Sequence, residues 1–225
     1  IDLLEDAVKY KLMLNFHGAT IPRGWQRTYP HMMSVEGVYG AEWYNNTPVL
    51  TNRAAEHNAT LPFTRNVVGP MDYTPGTFSD SQHPHITSYG HELALPIIFE
   101  SALQHMPDRP SVYYDMPEPV KKLLSDLPVA WDDTKLLAGY PGMEVVMARR
   151  KGDVWYIAGI NGTNKPRTLC FLLKDLSVVG KKITLFEDGI YDRSFTIAED
   201  LPLSEDEMSV EIKCLPRGGF VAVIK

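Results

Sequence analysis

The residue types best suited to chemistry cluster in the stretch 17–42, which reads HGATIPRGWQRTYPHMMSVEGVYGAE. It holds an imidazole, His17, followed by Gly18; the guanidinium groups of Arg23 and Arg27; the rings of Trp25 and Tyr29; and two carboxylates, Glu36 and Glu42. Two carboxylates aimed into one pocket can hold a hard cation through oxygen ligands. One of them can also give a proton to a leaving group. On a straight helix a spacing of six turns the chain through about 600°, which leaves the pair roughly 120° apart. They share a face only if the backbone bends, as Gly37 and Gly40 would allow. By type and spacing alone, the competing reading is a solvated helix face.

The elements that must position these groups change period along the chain. Asp2 to Lys11 reads as an amphipathic helix, with Leu3, Leu4, Ala7 and Val8 on its apolar side, and Leu12 to Phe16 as a short strand ending at His17. Met32 to Glu42 has helical character. Val67 to Tyr73 predicts a second strand end, followed by a Thr-Pro-Gly turn. His91 to Gln104 predicts an apolar helix in which Pro96 marks a bend or a first turn. Helix and buried strand in alternation belong to an α/β architecture, and two strands cannot close an eight-stranded barrel. Pro107 to Pro128 links this region to the next, with a possible helix over 118–124. From Trp131 the pattern becomes strand and turn, predicting six to eight antiparallel strands: 143–150, 154–160, 168–173, 181–187, 194–197, 208–213 and 219–224.

Composition narrows the class. Of 225 residues, 44% are hydrophobic and 22% charged, which suits a folded chain rather than a disordered one. A formal net charge of −6 offers nucleic acid no landing surface. The apolar stretches are too short for a transmembrane segment. Cys170 and Cys214 both lie in apolar strand contexts and read as buried free thiols. His83, His85 and His91 do not match a compact zinc spacing and read as loop lining or helix capping. Asp80, Ser81 and Ser88 read as loop and cap groups, and Asp132 and Asp133 as fixing the junction between regions. Three glycosylation sequons, at Asn45, Asn58 and Asn161, read as incidental.

The run His17-Gly18-Ala19, Pro22-x-Gly24, Arg27-Thr28-Tyr29-Pro30, Glu36 and Gly40-x-Glu42 resembles glycoside hydrolase family 97. So do Gly69-Pro70-Met71-Asp72-Tyr73-Thr74-Pro75-Gly76, Trp131-Asp132-Asp133-Thr134 and Gly139-Tyr140-Pro141-Gly142. The likeness covers essentially the whole chain. It implies an α/β fold class: the last part of a (β/α)8 barrel over 1–127, followed over 128–225 by an all-β antiparallel, β-sandwich-like C-terminal domain. It also implies Ca2+ at the active site, with Glu36 and Glu42 as metal ligands and Glu42 as the catalytic proton donor. Inverting members carry a base glutamate directly after the strand-end histidine, where this chain has Gly18. The resemblance is therefore to the retaining, α-galactosidase-like branch, in which Glu42 acts as general acid and then base. The nucleophile is an aspartate on an earlier strand, outside this chain.

The remaining site residues take their meaning from that resemblance. His17 contacts substrate or a carboxylate, or makes a structural hydrogen bond. Arg27 is expected to be buried and to orient the pocket. Trp25 and Tyr29 form a sugar-stacking wall or pack as loop core. Asp72 orients the pocket, reaches a metal-bound water or caps a turn. The expected partners are an α-galactoside or α-glucoside oligosaccharide and the missing N-terminal part of the same enzyme, in a periplasmic or secreted location. The isolated chain is expected to be incomplete, inactive and unable to fold alone. An α-glucosidase of the same family is one alternative, and a noncatalytic carbohydrate-binding or structural fragment is the other.

Overall fold

A computed structural model describes residues 1–80, 82–204 and 208–225, with the side chains of residues 44 and 45 left aside; Ser81 and the Asn45 side chain lie outside the described set. The first region begins with α1 (Asp2–Lys9), whose Leu4 and Ala7 are buried one turn apart and whose terminal charges oppose the helix dipole. Then come β1 (Leu14–Phe16), α2 (Trp25–Thr28), β2 (Met32–Val35), α3 (Ala41–Asn46), α4 (Pro48–Thr51), α5 (Ala54–Thr60), α6 (Tyr89–Ile98), α7 (Pro110–Tyr114) and α8 (Glu118–Asp126).

Three expectations for this region are corrected. Met32 to Glu42 is not one helix. Met32–Val35 is a strand that pairs with β1 in parallel, Leu14 opposite Met32 and Phe16 opposite Val35, and only from Ala41 does the chain turn helical. A run as short as Met-Met-Ser-Val fits either period, and pairing with β1 decides it. Residues 66–68 form a 3-10 turn, and only Met71 bridges in parallel to Val35. Gly69 at φ 153° and Pro70, which has no N–H, delay the pairing. The helix read over 91–104 runs from Tyr89 to Ile98, with Ser88 accepting the His91 N–H as its cap. Pro96 stands near its C-terminal end, and Gln104 donates back to the carbonyls of Pro96 and Phe99.

Among the described residues the second region has eight strands: β3 (Asp133–Tyr140), β4 (Glu144–Lys151), β5 (Val154–Asn161), β6 (Arg167–Leu172), β7 (Lys182–Asp188), β8 (Phe195–Pro202), β9 (Ser209–Cys214) and β10 (Gly219–Ile224). They form a six-stranded sheet in the order β3-β4-β5-β10-β7-β8 and a two-stranded sheet β6-β9, antiparallel throughout. Strand β3 is not among the strands expected from the sequence, which begin at 143. Asp132 accepts from Gly152 N–H and Lys151, and so fastens the β4–β5 turn.

The central strands are apolar without interruption because both faces are covered. Val146, Ala148, Trp155, Ile157, Phe220 and Ala222 pack toward Leu169, Phe171 and Ile212 of the small sheet. The alternate residues Val145, Met147, Tyr156, Ala158, Val221 and Val223 pack in one core with Leu93, Ala94 and Ile97 of α6. Gly159 leaves room for the Phe220 ring, which stacks on Phe171 at 5.6 Å. The same period of two corrects the thiols: Leu169 and Phe171 face the core, so Cys170 is exposed, while Cys214 is buried and its thiol pKa is pushed up by burial. Among the described residues no helix is long and apolar enough to cross a membrane.

Candidate active site

The alternation of β1 aims the first of the site residues. Leu14 and Phe16 pack on the cluster of Leu4, Met32 and Val35, so Asn15 and His17 point the other way. Glu36 follows β2, and its N–H bonds to the Phe16 carbonyl, 2.7 Å. Its buried carboxylate accepts the Gly18 N–H. Gly18 takes φ 60°, a left-handed turn that suits glycine and folds this N–H back onto Glu36.

Glu42 comes from the first turn of α3. Gly40 fixes that turn: Ala41 N–H bonds to the Tyr73 carbonyl at 2.9 Å, and a Cβ on Gly40 would sit 2.5 Å from the same oxygen. Glu36 and Glu42 thus reach one place from a strand end and a helix start, and the helix-face geometry of the sequence reading does not apply.

His17 joins three carboxylates. Its Nδ1 lies 3.3 Å from Glu42 and 3.9 Å from Glu36, and its Nε2 lies 2.8 Å from Asp72. Burial works against the imidazolium, but the Asp72 bond and the three acidic charges outweigh it and raise the His17 pKa. Asp72 itself is fully buried. It accepts from Asn15 at 2.6 Å, from the His105 N–H at 3.0 Å, and contacts the His17 and His105 rings. Burial alone would raise its pKa; these bonds bring it below the usual carboxylate value. Its oxygens thus tie Asn15, His17 and His105 together.

Arg65 holds the frame. Its buried guanidinium donates to the carbonyls of Val35, Glu36, Gly37, Gly69 and Pro70, at 2.9 to 3.2 Å. It thereby ties the end of β2, which carries Glu36, to the segment that carries Asp72.

His17, Gly18, Glu36, Glu42, Trp43 and Asn46 line a hollow of about 320 Å³. Trp25, Arg27 and Tyr29 do not line it. Trp25 borders a separate apolar hollow with Leu4, Phe16 and Met32. Tyr29 packs on the Leu4–Met32–Val35 cluster and meets His31 edge-on. Arg27, expected to be buried, is exposed, because α2 is a four-residue turn on the surface. Two donor sets have ligand atoms within 4.8 Å of one another: His17, Glu36 and Glu42, and His17, Asp72 and His105. The oxygen donors of Glu36 and Glu42 suit calcium in chemistry and spacing, with an imidazole beside them. In the second set Asp72 is taken up by hydrogen bonds.

The other histidines stay apart from this site. His85 is buried among Asp80, Thr87 and Arg193, and His91 within α6 beside Asn58. Asn58 and Asn161 are fully buried, which removes both as glycosylation acceptors. Asn15, Arg65, Trp43 and His105 were missed in the sequence. Asn15 had a signal, two residues before His17 on one strand; His105 and Arg65 had none, since only folding brings them in.

A family model described as Glycoside hydrolase 97 matches residues 1–38, and one described as Glycosyl-hydrolase 97 C-terminal, oligomerisation, matches residues 130–225. The chain belongs to glycoside hydrolase family 97. This family-97 chain is 34% identical over 238 residues to the retaining alpha-galactosidase of Bacteroides thetaiotaomicron, covering 98% of the chain and 35% of that protein. It is 46% identical over 158 residues to a protein named probable retaining alpha-galactosidase from Streptomyces bingchenggensis, covering 70% of the chain and 24% of the relative. Among solved structures, a beta-arabinopyranosidase superposes with a TM-score of 0.90 at 30% identity, over 99% of this chain and 36% of that one. A family 97 enzyme of Pseudoalteromonas sp. strain K8 in complex with panose superposes at 0.83 and 27% identity, with the same coverage. The chain spans between 24% and 36% of the length of these relatives.

Proposed function

We propose that this chain is the C-terminal part of a calcium-dependent, retaining α-galactosidase in which Glu42 is the general acid and base. Residues 1–127 are then the last portion of the catalytic (β/α)8 barrel, and 128–225 the sandwich-like domain that follows it. The parallel order β1, β2 and Met71 supports the barrel reading. The observation that carries the proposal is the convergence of His17, Glu36 and Glu42 on one hollow with Gly18 beside them. Glycine at that place removes the base that inversion would need, and two relatives are named as retaining.

In the first step an aspartate carboxylate from outside this chain forms a bond to the anomeric carbon. The bond to the glycosidic oxygen breaks, and that oxygen takes the Glu42 proton. In the second step Glu42 takes a proton from water, whose oxygen displaces the aspartate and frees the sugar. His17, held by Asp72, orients the carboxylates and contacts the sugar. A calcium ion held by Glu36 and Glu42 would supply positive charge at the sugar's hydroxyl groups. Residues 1–225 alone would not turn over, and the complete enzyme would work in the periplasm or outside the cell, a reading that cell fractionation tests.

The test is hydrolysis of an aryl α-galactoside by the full-length protein, with the product anomer followed by proton NMR. Calcium-dependent release of α-galactose is expected, with kcat down at least about a hundredfold in Glu42→Gln, the usual weight of a general acid. Release of β-galactose would overturn the retaining mechanism. A second reading is favoured by the beta-arabinopyranosidase neighbour: β-L-arabinopyranose has the ring configuration of α-D-galactose without its hydroxymethyl group. A higher kcat/KM on the aryl β-L-arabinopyranoside would select it. Preference for the aryl α-glucoside would instead select the α-glucosidase alternative.

A further inference from the structure

We propose that Trp43, held against Tyr39, is the platform on which the leaving-group sugar of the substrate stacks. This rests on the reading of Glu42 as proton donor. A general acid must reach the oxygen that joins the two halves of a glycoside, so the leaving half lies on the acid's side of the pocket. Trp43 follows Glu42 on α3 and lines the same hollow. Trp43 is 45% exposed and Tyr39 56%. The two rings meet edge to face, with centroids 5.7 Å apart and planes at 79°. Such a contact covers one face of one ring at most and fixes the pair's orientation. An indole offers an apolar face and an N–H at its edge, which suits the C–H face and hydroxyl rim of a pyranose.

The mount is rigid. The start of α3 is pinned by the close approach of Gly40 to the Tyr73 carbonyl and by the Ala41 bond to the same oxygen. His57 Nε2 donates to the Tyr39 carbonyl at 3.0 Å, and Asn46 donates back to the Glu42 carbonyl at 2.6 Å. A ring fixed before the substrate arrives costs little ordering entropy on binding. Neither Trp25 nor Tyr29 borders this hollow; among the described residues Trp43 is the aromatic side chain that lines it.

Comparing two substrates of the full-length enzyme tests this: an α-galactose-containing disaccharide, and α-galactosyl fluoride, whose leaving group carries no sugar. In Trp43→Ala the ratio of kcat/KM on the disaccharide to kcat/KM on the fluoride is expected to fall by about tenfold, the scale of one aromatic contact. Trp43→Phe, which keeps a ring, is expected to recover most of that ratio, and its melting temperature shows whether α3 is intact. An equal fall on both substrates would overturn the proposal by placing the ring in the fold or around the glycosyl unit. An unchanged ratio with unchanged rates would overturn it as well. A wild-type enzyme that cleaves neither substrate would instead remove the α-galactosidase reading on which these two substrates rest.

Discussion

Arg65 shows how one residue far from any motif can decide a site. A buried cation is costly unless its donors are satisfied, and burial lowers the pKa of this guanidinium. Five main-chain carbonyls satisfy it, and they belong to the two segments that carry Glu36 and Asp72. A lysine ammonium is a single point with three donors and cannot replace that fork. Arg65→Lys is expected to cost about 1–3 kcal/mol in stability, the cost of leaving buried groups unpaired. It should also weaken calcium binding by the full-length protein, measured by titration calorimetry. Arg149→Lys is the control: Arg149 ties the Ile97 and Ile98 carbonyls at the end of α6, away from the carboxylates. It should lose stability while calcium affinity stays the same. Equal affinity in Arg65→Lys would mean that Arg65 supports the fold alone.

Among elements, α3 has the largest consequence. It has six residues and would not hold as an isolated helix; its position comes from the contact of Gly40 with Tyr73. Gly40→Ala puts a methyl group against a carbonyl oxygen that cannot move without breaking the Ala41 bond. The expected cost is about 1–3 kcal/mol, as for overpacking. Because Glu42 and Trp43 move with the helix, kcat should fall more than the change in melting temperature alone explains. Unaltered kinetics in a destabilised Gly40→Ala protein would show that α3 does not set the Glu42 position.

For the whole molecule, α6 joins the two regions. It packs on β5 and β10, and its cap residue Ser88 bonds to Asp188 of β7. Two neutral histidines lie at this junction. Burial, and for His85 also the charge of Arg193, lowers the pKa of His85 to about 4, and burial lowers that of His91 to about 3, from 6.5. His91 accepts from Asn58, which protonation would disrupt. The unfolded chain binds more protons than the folded one between those values, so this stability is complete above pH 6.5 and is lost as pH falls toward 4 and 3. At pH 5 the loss is about 2 kcal/mol for each ring. Glu100, Glu187 and Asp188 have raised pKa values through burial and act in the opposite direction, but nearer the carboxylate range. Melting temperature should therefore fall from pH 7 to pH 5.5, with a flatter slope in His85→Gln and in His91→Gln. A slope unchanged in both variants would exclude these rings as its source.

The sequence by itself determined the change of period near Trp131, the β4–β5 hairpin at Gly152, and the stretch 17–42 as the place where an imidazole and two carboxylates cluster. These are local patterns, readable wherever burial follows a period of two or a turn needs glycine. The tertiary structure decided the rest. Met32–Val35 became a strand because β1 lay beside it, and Cys170 turned outward because the sheet register put Leu169 and Phe171 inside. Arg27 stayed at the surface while Arg65 went in. His105 reached Asp72 across 33 residues, and Trp43 rather than Trp25 came to face the carboxylates. Each of those outcomes depends on which distant segment supplies the partner, and spacing along a chain does not encode that.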